Sequence, residues 1–312
     1  MSDISHVTVI GGGIMGTGLA THFATKEVET TLVDHKQANI DAARDRIAEN
    51  VQFIQSEMNS KLSEEAVLEN LSFTLNQSSG VANTDLVLET ISENLTAKQE
   101  VFGEVAATVD DETILASNTS SIRITRIAES VPEVADRVIG CHWWNPPYLM
   151  PLVEVVKGKR TSSETVGRVT SFAESVDRNP IVVNKDVPGF VWNRIQFAVL
   201  RECMYLVEAD VASLEDVNVA VRDGYALRTS VVGPFETVDL SGLDLYRTIA
   251  ESLYPHLNDA DEPSDLFDVY LNNGRCGIEE GAGFFEYDQS AAEIISERDK
   301  TISDLCKIFE SR

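Results

Sequence analysis

Nowhere does the chain hold the roughly 18 consecutive apolar residues of a membrane span, and its opening, MSDISHVTVIGGG, has no basic segment ahead of an apolar one. The expectation is a soluble, cytoplasmic protein. Positive charge is scarce: 25 Lys and Arg face 51 Asp and Glu, for a formal charge of −26. That balance repels nucleic-acid phosphates and anionic lipid surfaces, so neither is an expected partner. Lysine is the rarer cation, nine residues against sixteen arginines. The acid excess resembles a surface kept soluble in a high-salt, halophilic cytoplasm, and it fits an ordinary acidic cytosolic protein as well.

Cysteine is sparse too. Cys141, Cys203, Cys276 and Cys306 stand far apart, with no Cys-x-x-Cys pair and no Cys/His ligand spacing. Neither a zinc site nor a disulfide framework is expected, no metal is required, and the four thiols read as buried.

The 312 residues suit two domains at about 100–200 residues each, and a hydrophobic content of 43% can fill their cores. Short β-branched runs at 6–11, 30–34, 85–91, 113–118, 137–143, 152–156 and 180–184 alternate with helical patterns at 37–58, 95–107 and 161–177. The last of these opens on an apparent capping box, Thr161-x-x-Glu164. Strand and helix alternating in this way predict an α/β fold: a doubly wound, mostly parallel sheet with helices on both faces. Past Val191 the strand signals vanish, and helical periods follow at 190–209, 213–223, 236–253, 264–273 and 290–310. Asp186-Val187-Pro188-Gly189 reads as the hinge between an α/β domain and an all-helical one.

Gly11-x-Gly13-x-x-Gly16 stands directly after the first strand and opens a helix, the context that gives this pattern its meaning. Gly11 makes the tight turn, Gly13 lets a pyrophosphate approach the backbone, and Gly16 lets helix and strand pack closely; Ile14 and Met15 between them are candidate cofactor-binding residues with the glycines. Asp34 ends the second strand, where an acid accepts hydrogen bonds from the adenosine ribose hydroxyls and repels a 2′-phosphate. NAD is therefore expected rather than NADP, with His35 and Lys36 beside Asp34 as a softening influence or as solvated strand-end residues.

His142 is the histidine with a polar setting. It ends the run RVIGCHW, ahead of Trp143, Trp144, Asn145, Pro146 and Pro147, and Glu154 lies in the next strand, LVEVV. A base at a strand's carboxyl end lies where open α/β sheets place their ligands. A carboxylate on the adjacent strand orients the imidazole and stabilises its protonated form. A buried, satisfied histidine is the bland alternative. Oxidising a secondary alcohol needs a proton acceptor, a hydride acceptor held by fixed dipoles and donors for the carbonyl oxygen; a His–Glu pair, a dinucleotide fold and Ser or Asn side chains supply all three.

The blocks GGGIMGTG (11–18), LVLETISEN (86–94), SNTSS (117–121), HWWNPPYLMPLVEVV (142–156), DVPGFVWNR (186–194) and VGPFETVDLSGLD (232–244) occur in the order seen in the L-3-hydroxyacyl-CoA dehydrogenase family. The chain resembles that family along essentially its whole length. The resemblance implies His142 as the catalytic base and Glu154 as its carboxylate partner. It implies Ser120 and Asn193 as the groups holding the reacting oxygen. It also implies Asn145 beside the nicotinamide, and Glu93, Lys98, Asn118 and Ser120 at cofactor-contacting positions. Two bland alternatives remain, Ser120 as a helix cap and Asn193 as a buried helix polar group.

The sequence also departs from the family pattern. The acyl-CoA enzymes usually read HFFNP with a lysine before LVEV, whereas this chain has HWWNPP and Pro151. NPP, PLVEVV and the insertion ALRTSVVGPFE (226–236) look more like relatives acting on small free hydroxy acids: the lambda-crystallin/L-gulonate, carnitine and pyridine-carboxylate dehydrogenases. In the segment 43–65, which would face coenzyme A, only Arg44, Arg46 and Lys61 are basic. A free-acid enzyme instead needs one cation near the reacting carbon, with Arg123 and Arg228 as candidates. Trp143 and Trp144 read either as a pocket wall or as domain-interface core.

Together these readings predict an NAD-binding Rossmann-type domain over 1–185 and a helical substrate and dimerisation domain over 186–312, in a homodimeric NAD-dependent dehydrogenase. The expected substrate is a short 3-hydroxyacyl-CoA, which would place the enzyme in fatty acid metabolism. A small free hydroxy acid is the alternative.

Overall fold

Residues 2–58 and 62–310 are described by the computed structural model. The first half of the chain runs β1 (His6–Ile10), α1 (Ile14–Thr25), β2 (Glu29–Val33), α2 (Gln37–Glu57), α3 (Glu64–Glu69), β3 (Leu71–Thr74), α4 (Gln77–Val81), β4 (Leu86–Glu89), α5 (Leu95–Ala106) and β5 (Ile114–Ser117). It continues through α6 (Ile124–Ala128), β6 (Val138–Trp143), β7 (Leu152–Lys157), α7 (Ser163–Ser175) and β8 (Asn179–Val183). The eight strands form one sheet in the order β3-β2-β1-β4-β5-β6-β7-β8. Every neighbouring pair is parallel except β6 with β7, which is antiparallel. This is the Rossmann-type, doubly wound sheet that the alternation of strands and helices predicts.

Alternation along each strand sorts the core onto two faces. Val7, Val9, Leu86, Leu88, Ile139 and Cys141 pack with Leu19 and Phe23 of α1, Ile47 of α2 and Phe172 of α7. Ile10, Val87, Leu115 and Val138 point the other way, to Val81 of α4, Phe102 of α5 and Ile124 of α6. With both faces covered, the central strands read as continuous apolar runs. The strand order reverses beside β1, and ligands of such sheets lie beyond the carboxyl ends of the strands at that reversal.

Two local expectations are corrected. The edge strand β3 went unread: it is only four residues, and Ser72 and Thr74 interrupt its apolar pattern. Helix α7 is capped by Ser162, whose hydroxyl accepts from Thr165 N–H at 3.0 Å, and not by Thr161. The Thr161 hydroxyl is already committed, donating to Val138 O at 2.6 Å and accepting from Gly158 N–H at 2.9 Å. The cysteines are corrected as well, since Cys141 alone is buried and Cys276 is exposed.

The remaining chain is helical: α8 (Trp192–Glu208), α9 (Leu214–Val219), a π-helical stretch Ala220–Ala226, α10 (Leu227–Thr229), α11 (Pro234–Ser241), α12 (Leu243–Leu253), α13 (Leu266–Leu271) and α14 (Ala291–Glu310). The predicted helix 236–253 is interrupted at Gly242. By contacts the chain divides into a unit of residues up to Asn193 together with those from Glu297 on, and a second unit, Arg194–Ser296. The sequence reading places the boundary after Lys185 and keeps 186–312 together. In the second unit Met204 and Val217 are the buried apolar side chains among the described residues.

Candidate active site

The turn after β1 is built for a dinucleotide. Gly11 has φ +114°, a conformation that side chains disfavour, and its N–H donates to Val33 O at 2.8 Å. A Cβ on Gly16 would run into the Gly11 carbonyl, so helix α1 can lie this close to the turn only with glycine there. Gly13, at the N-cap of α1, provides no side-chain cap, and a Cβ added to it meets nothing within 4 Å. No side chain caps the start of this 12-residue helix, whose first N–H groups form the arrangement that binds a pyrophosphate. Ile14 is exposed beside it, and Met15 packs into the core.

Asp34, directly after β2, has both carboxylate oxygens engaged. Oδ2 accepts from Gly12 N–H at 2.8 Å, and Oδ1 accepts from Lys36 N–H at 2.9 Å and Asn39 Nδ2 at 3.0 Å. Burial alone would raise its pKa, but these hydrogen bonds outweigh that and hold the carboxyl below the ordinary aspartate range. Asp34 is therefore a fixed anion at the place where the ribose of NAD is expected. The residues present fit the cofactor.

Beyond β4 and β5 lies a second polar layer. Glu89 is fully buried, with Oε1 accepting from Lys98 Nζ and Ile91 N–H, both at 2.7 Å, and Oε2 accepting from the Ser117 hydroxyl at 2.6 Å. The Lys98 ammonium also lies 3.4 Å from Glu93 Oε2. Glu93 Oε1 gathers the Thr119 and Ser121 hydroxyls at 2.6 and 2.8 Å, with the N–H groups of Ser120 and Ser121. Burial opposes ionisation of Glu93, but those hydroxyls and Lys98 win and lower its pKa. Lys98 is thus buried and spent on two carboxylates, while Glu93 ties LETISEN to SNTSS. Asn118 Oδ1 accepts from Trp143 N–H at 2.8 Å, joining β5 to β6.

His142 and Glu154 face each other in register across the antiparallel β6–β7 pair. Nδ1 lies 2.8 Å from Glu154 Oε2, with the glutamate fully buried and the histidine 4% exposed. The other carboxylate oxygen, Oε1, accepts from Val191 N–H at 2.9 Å and Trp192 N–H at 3.0 Å. Burial pushes the Glu154 pKa up, but the His142 bond and the two amides outweigh it and leave the carboxyl below its usual range. An ionised carboxylate can only accept, so Nδ1 carries the proton and Nε2 is the basic nitrogen.

Aromatic rings flank this base, Trp144 and the buried Phe190 directly and Trp192 through Trp144. Trp144 lies 4.7 Å from the imidazole, Phe190 lies 5.9 Å from it, and Trp192 meets Trp144 edge to face at 5.2 Å. Trp143 points to the opposite face, where its ring is core and its N–H meets Cys141 Sγ at 3.1 Å. Trp143 is thus core of the first unit itself and not domain-interface core, while Trp144 stands beside the imidazole. Asn193 Nδ2 donates to Ser120 O at 3.1 Å, bringing the two oxygen-holding candidates together. Ser120 is not a helix cap, since the N-cap of α6 is Arg123. Asn145 is exposed at the head of the Pro146-Pro147 turn.

Two family models describe this chain: the NAD binding domain of 3-hydroxyacyl-CoA dehydrogenase over residues 6–187 and its C-terminal domain over 189–287. The chain belongs to the 3-hydroxyacyl-CoA dehydrogenase family. It is an NAD-dependent dehydrogenase. Within that family it is similar to 5-formyl-3-hydroxy-2-methylpyridine 4-carboxylate 5-dehydrogenase of Mesorhizobium japonicum, 31% identical over 310 residues and 99% of each chain. It is also similar to human mitochondrial hydroxyacyl-coenzyme A dehydrogenase, 35% identical over 294 residues and 91% of each chain. The crystal structure of a 5-formyl-3-hydroxy-2-methylpyridine 4-carboxylic acid 5-dehydrogenase, an NAD+-dependent dismutase, superimposes with a TM-score of 0.92 at 31% identity and 99% coverage of both chains.

Several groups of this dehydrogenase escaped the sequence reading. Glu89 looked like one more strand residue; the signal was an acid inside the apolar run LVLETI. Phe190 and the Val191 and Trp192 amides carry no sequence signature, because they reach His142 and Glu154 respectively only through the path of the chain after β8. His22 accepts at Nδ1 from Arg178 Nη2 and donates from Nε2 to Val176 O, each at 3.0 Å. Arg178 also grips Pro147 O through Nε at 3.2 Å and Nη2 at 3.0 Å, so it anchors the turn that carries Asn145.

Proposed function

We propose that this enzyme oxidises the alcohol, or reduces the carbonyl, of a compact ring-bearing carboxylate, with His142 as the general base. The observation that carries the reading is the Trp144 ring beside the imidazole with Trp192 edge to face against it, an aromatic surface that suits a flat ring better than a thin acyl chain. It agrees with similarity over 99% of the chain to the pyridine-carboxylate enzyme, against 91% for the hydroxyacyl-CoA one. It agrees too with the fate of the basic residues in 43–65. Arg44 lies 3.9 Å over the Phe73 ring, Arg46 reaches the Gly12 carbonyl at 3.4 Å, and Lys61 lies outside the described residues. A coenzyme A 3′-phosphate finds little there to hold it.

Bound NAD supplies the hydride acceptor. His142 Nε2 takes the hydroxyl proton as hydride leaves the carbinol carbon, and Glu154, anchored by two backbone amides, stabilises the imidazolium that forms. Ser120 and Asn193 hold the reacting oxygen. Gly11, Gly13 and Gly16 with the start of α1 hold the pyrophosphate, and Asp34 holds the ribose.

A second reading, a short 3-hydroxyacyl-CoA, is favoured by the 35% identity to the hydroxyacyl-CoA relative. Turnover of NAD with pyridine or benzene hydroxymethyl carboxylates, set beside 3-hydroxybutyryl-CoA, separates the two. A higher kcat/KM for the thioester overturns the ring-carboxylate reading.

The protein works as a cytoplasmic homodimer in this proposal. Phe235, Leu240, Leu243 and Tyr254, all on or beside α11 and α12, are 85%, 76%, 65% and 72% exposed. An apolar face of that extent on one helical unit is the mark of a covered surface, and a second copy is the proposed cover. Leu240→Asp with Leu243→Asp should shift the sedimenting species from dimer to monomer; a monomeric parent protein overturns the proposal.

A further inference from the structure

A cleft of about 560 Å³ opens in the first unit, between the end of β7, the start of α6 and the segment 184–188 that follows β8. Arg123, Lys157, Lys159 and Lys185 all line it, and the acid among its lining residues is Asp186. That carboxylate is already engaged: Oδ2 accepts from Thr125 N–H at 2.7 Å, and Oδ1 lies 3.7 Å from Arg123 Nη2. Among the described residues, none of the three lysine ammonium groups has a carboxylate oxygen within 4.0 Å. Three of the chain's nine lysines therefore meet in one concavity of a protein whose formal charge is −26. Gathering like charges opposes folding unless a counter-charge sits among them.

We propose that this cleft binds a phosphate-bearing anion. Four cations against one satisfied carboxylate suit a dianion or polyanion better than a single carboxylate, and lysine ammonium groups hold phosphate oxygens as point charges. The volume falls in the usual range for small-molecule sites and exceeds what orthophosphate alone fills. The site is separate from the His142–Glu154 pair. It is joined to that pair by the chain, because the segment that supplies Asp186 runs directly on to Val191 and Trp192, whose amides hold Glu154. The proposal rests on no assignment of the substrate.

The test is calorimetric titration of the NADH-saturated enzyme with orthophosphate and, separately, with ADP, at an ionic strength held constant with KCl. Saturation with NADH keeps both ligands off the glycine turn, and NADH fluorescence verifies that the cofactor stays bound. Saturable binding is expected, weakened by about tenfold or more in Lys159→Gln with Lys185→Gln, the loss of charge-assisted contacts. NADH affinity should be unchanged in that variant. Affinity for ADP at least tenfold above orthophosphate assigns a nucleotide as the source; equal affinities assign free phosphate. Heats no larger than those of added chloride, or binding unchanged in the double variant, overturn the proposal.

Discussion

His142 Nδ1 lies 2.8 Å from Glu154 Oε2, its register partner on the antiparallel neighbour strand. Replacing the base by His142→Gln should lower kcat by roughly 10²–10⁴, the usual contribution of a positioned acid or base. NADH affinity should change little, because the glycine turn and Asp34 are untouched. Glu154→Gln should cost less activity. Steady-state kinetics beside NADH fluorescence titration check both, and near-normal turnover in folded His142→Gln protein would place the base elsewhere.

Acid should unfold the protein in two stages. Burial, with Arg178 and Lys26 nearby, holds the His22 pKa well below 6.5, so folded His22 stays neutral where the unfolded chain binds a proton. Its contribution is present above pH 6.5 and falls away as the pH drops toward the folded value. Glu154 is also depressed, from 4.5, so its contribution persists above that pH and is lost as the pH falls through its folded value. Thermal melts from pH 8 to 3 should show the first decline below about 6.5 and a second, steeper one in the carboxylate range. His22→Gln should flatten the first decline and leave the second.

Cofactor choice should follow Asp34. A 2′-phosphate on the ribose would meet a carboxylate fixed by three hydrogen bonds, so NADP should bind far more weakly than NAD. Asp34→Ala should narrow the gap. Equal kcat/KM for the two cofactors in the parent enzyme would contradict the assignment.

Salt should stabilise the fold. At a formal charge of −26 self-repulsion is substantial, and the Debye length shrinks from about 10 Å at 0.1 M to about 3 Å at 1 M. Melting temperature is expected to climb with KCl over that range. A flat profile would show that the acidic composition carries no adaptation to high salt.

The doubly wound sheet, the glycine turn, Asp34 and the candidate pair His142 and Glu154 were legible in local order: β-branched runs alternating with helical periods, a fixed glycine spacing, and two polar residues in neighbouring strands. Local signals failed where a competing partner came from far along the chain. Thr161 has the spacing of a cap, yet Val138 O takes its hydroxyl and Ser162 caps the helix instead. Lys98, which the resemblance puts at a cofactor-contacting position, has its buried ammonium held between Glu89 and Glu93. Paired tryptophans could not be told apart until the pleat sent Trp143 into one core and Trp144 to the imidazole on the other face. The Val191 and Trp192 amides meet Glu154, and three lysines meet in one cleft, through the tertiary structure alone. Hydrogen bonds and charges act over a few ångströms of space, whatever the separation along the chain, and that is why no reading of neighbours in sequence could supply them.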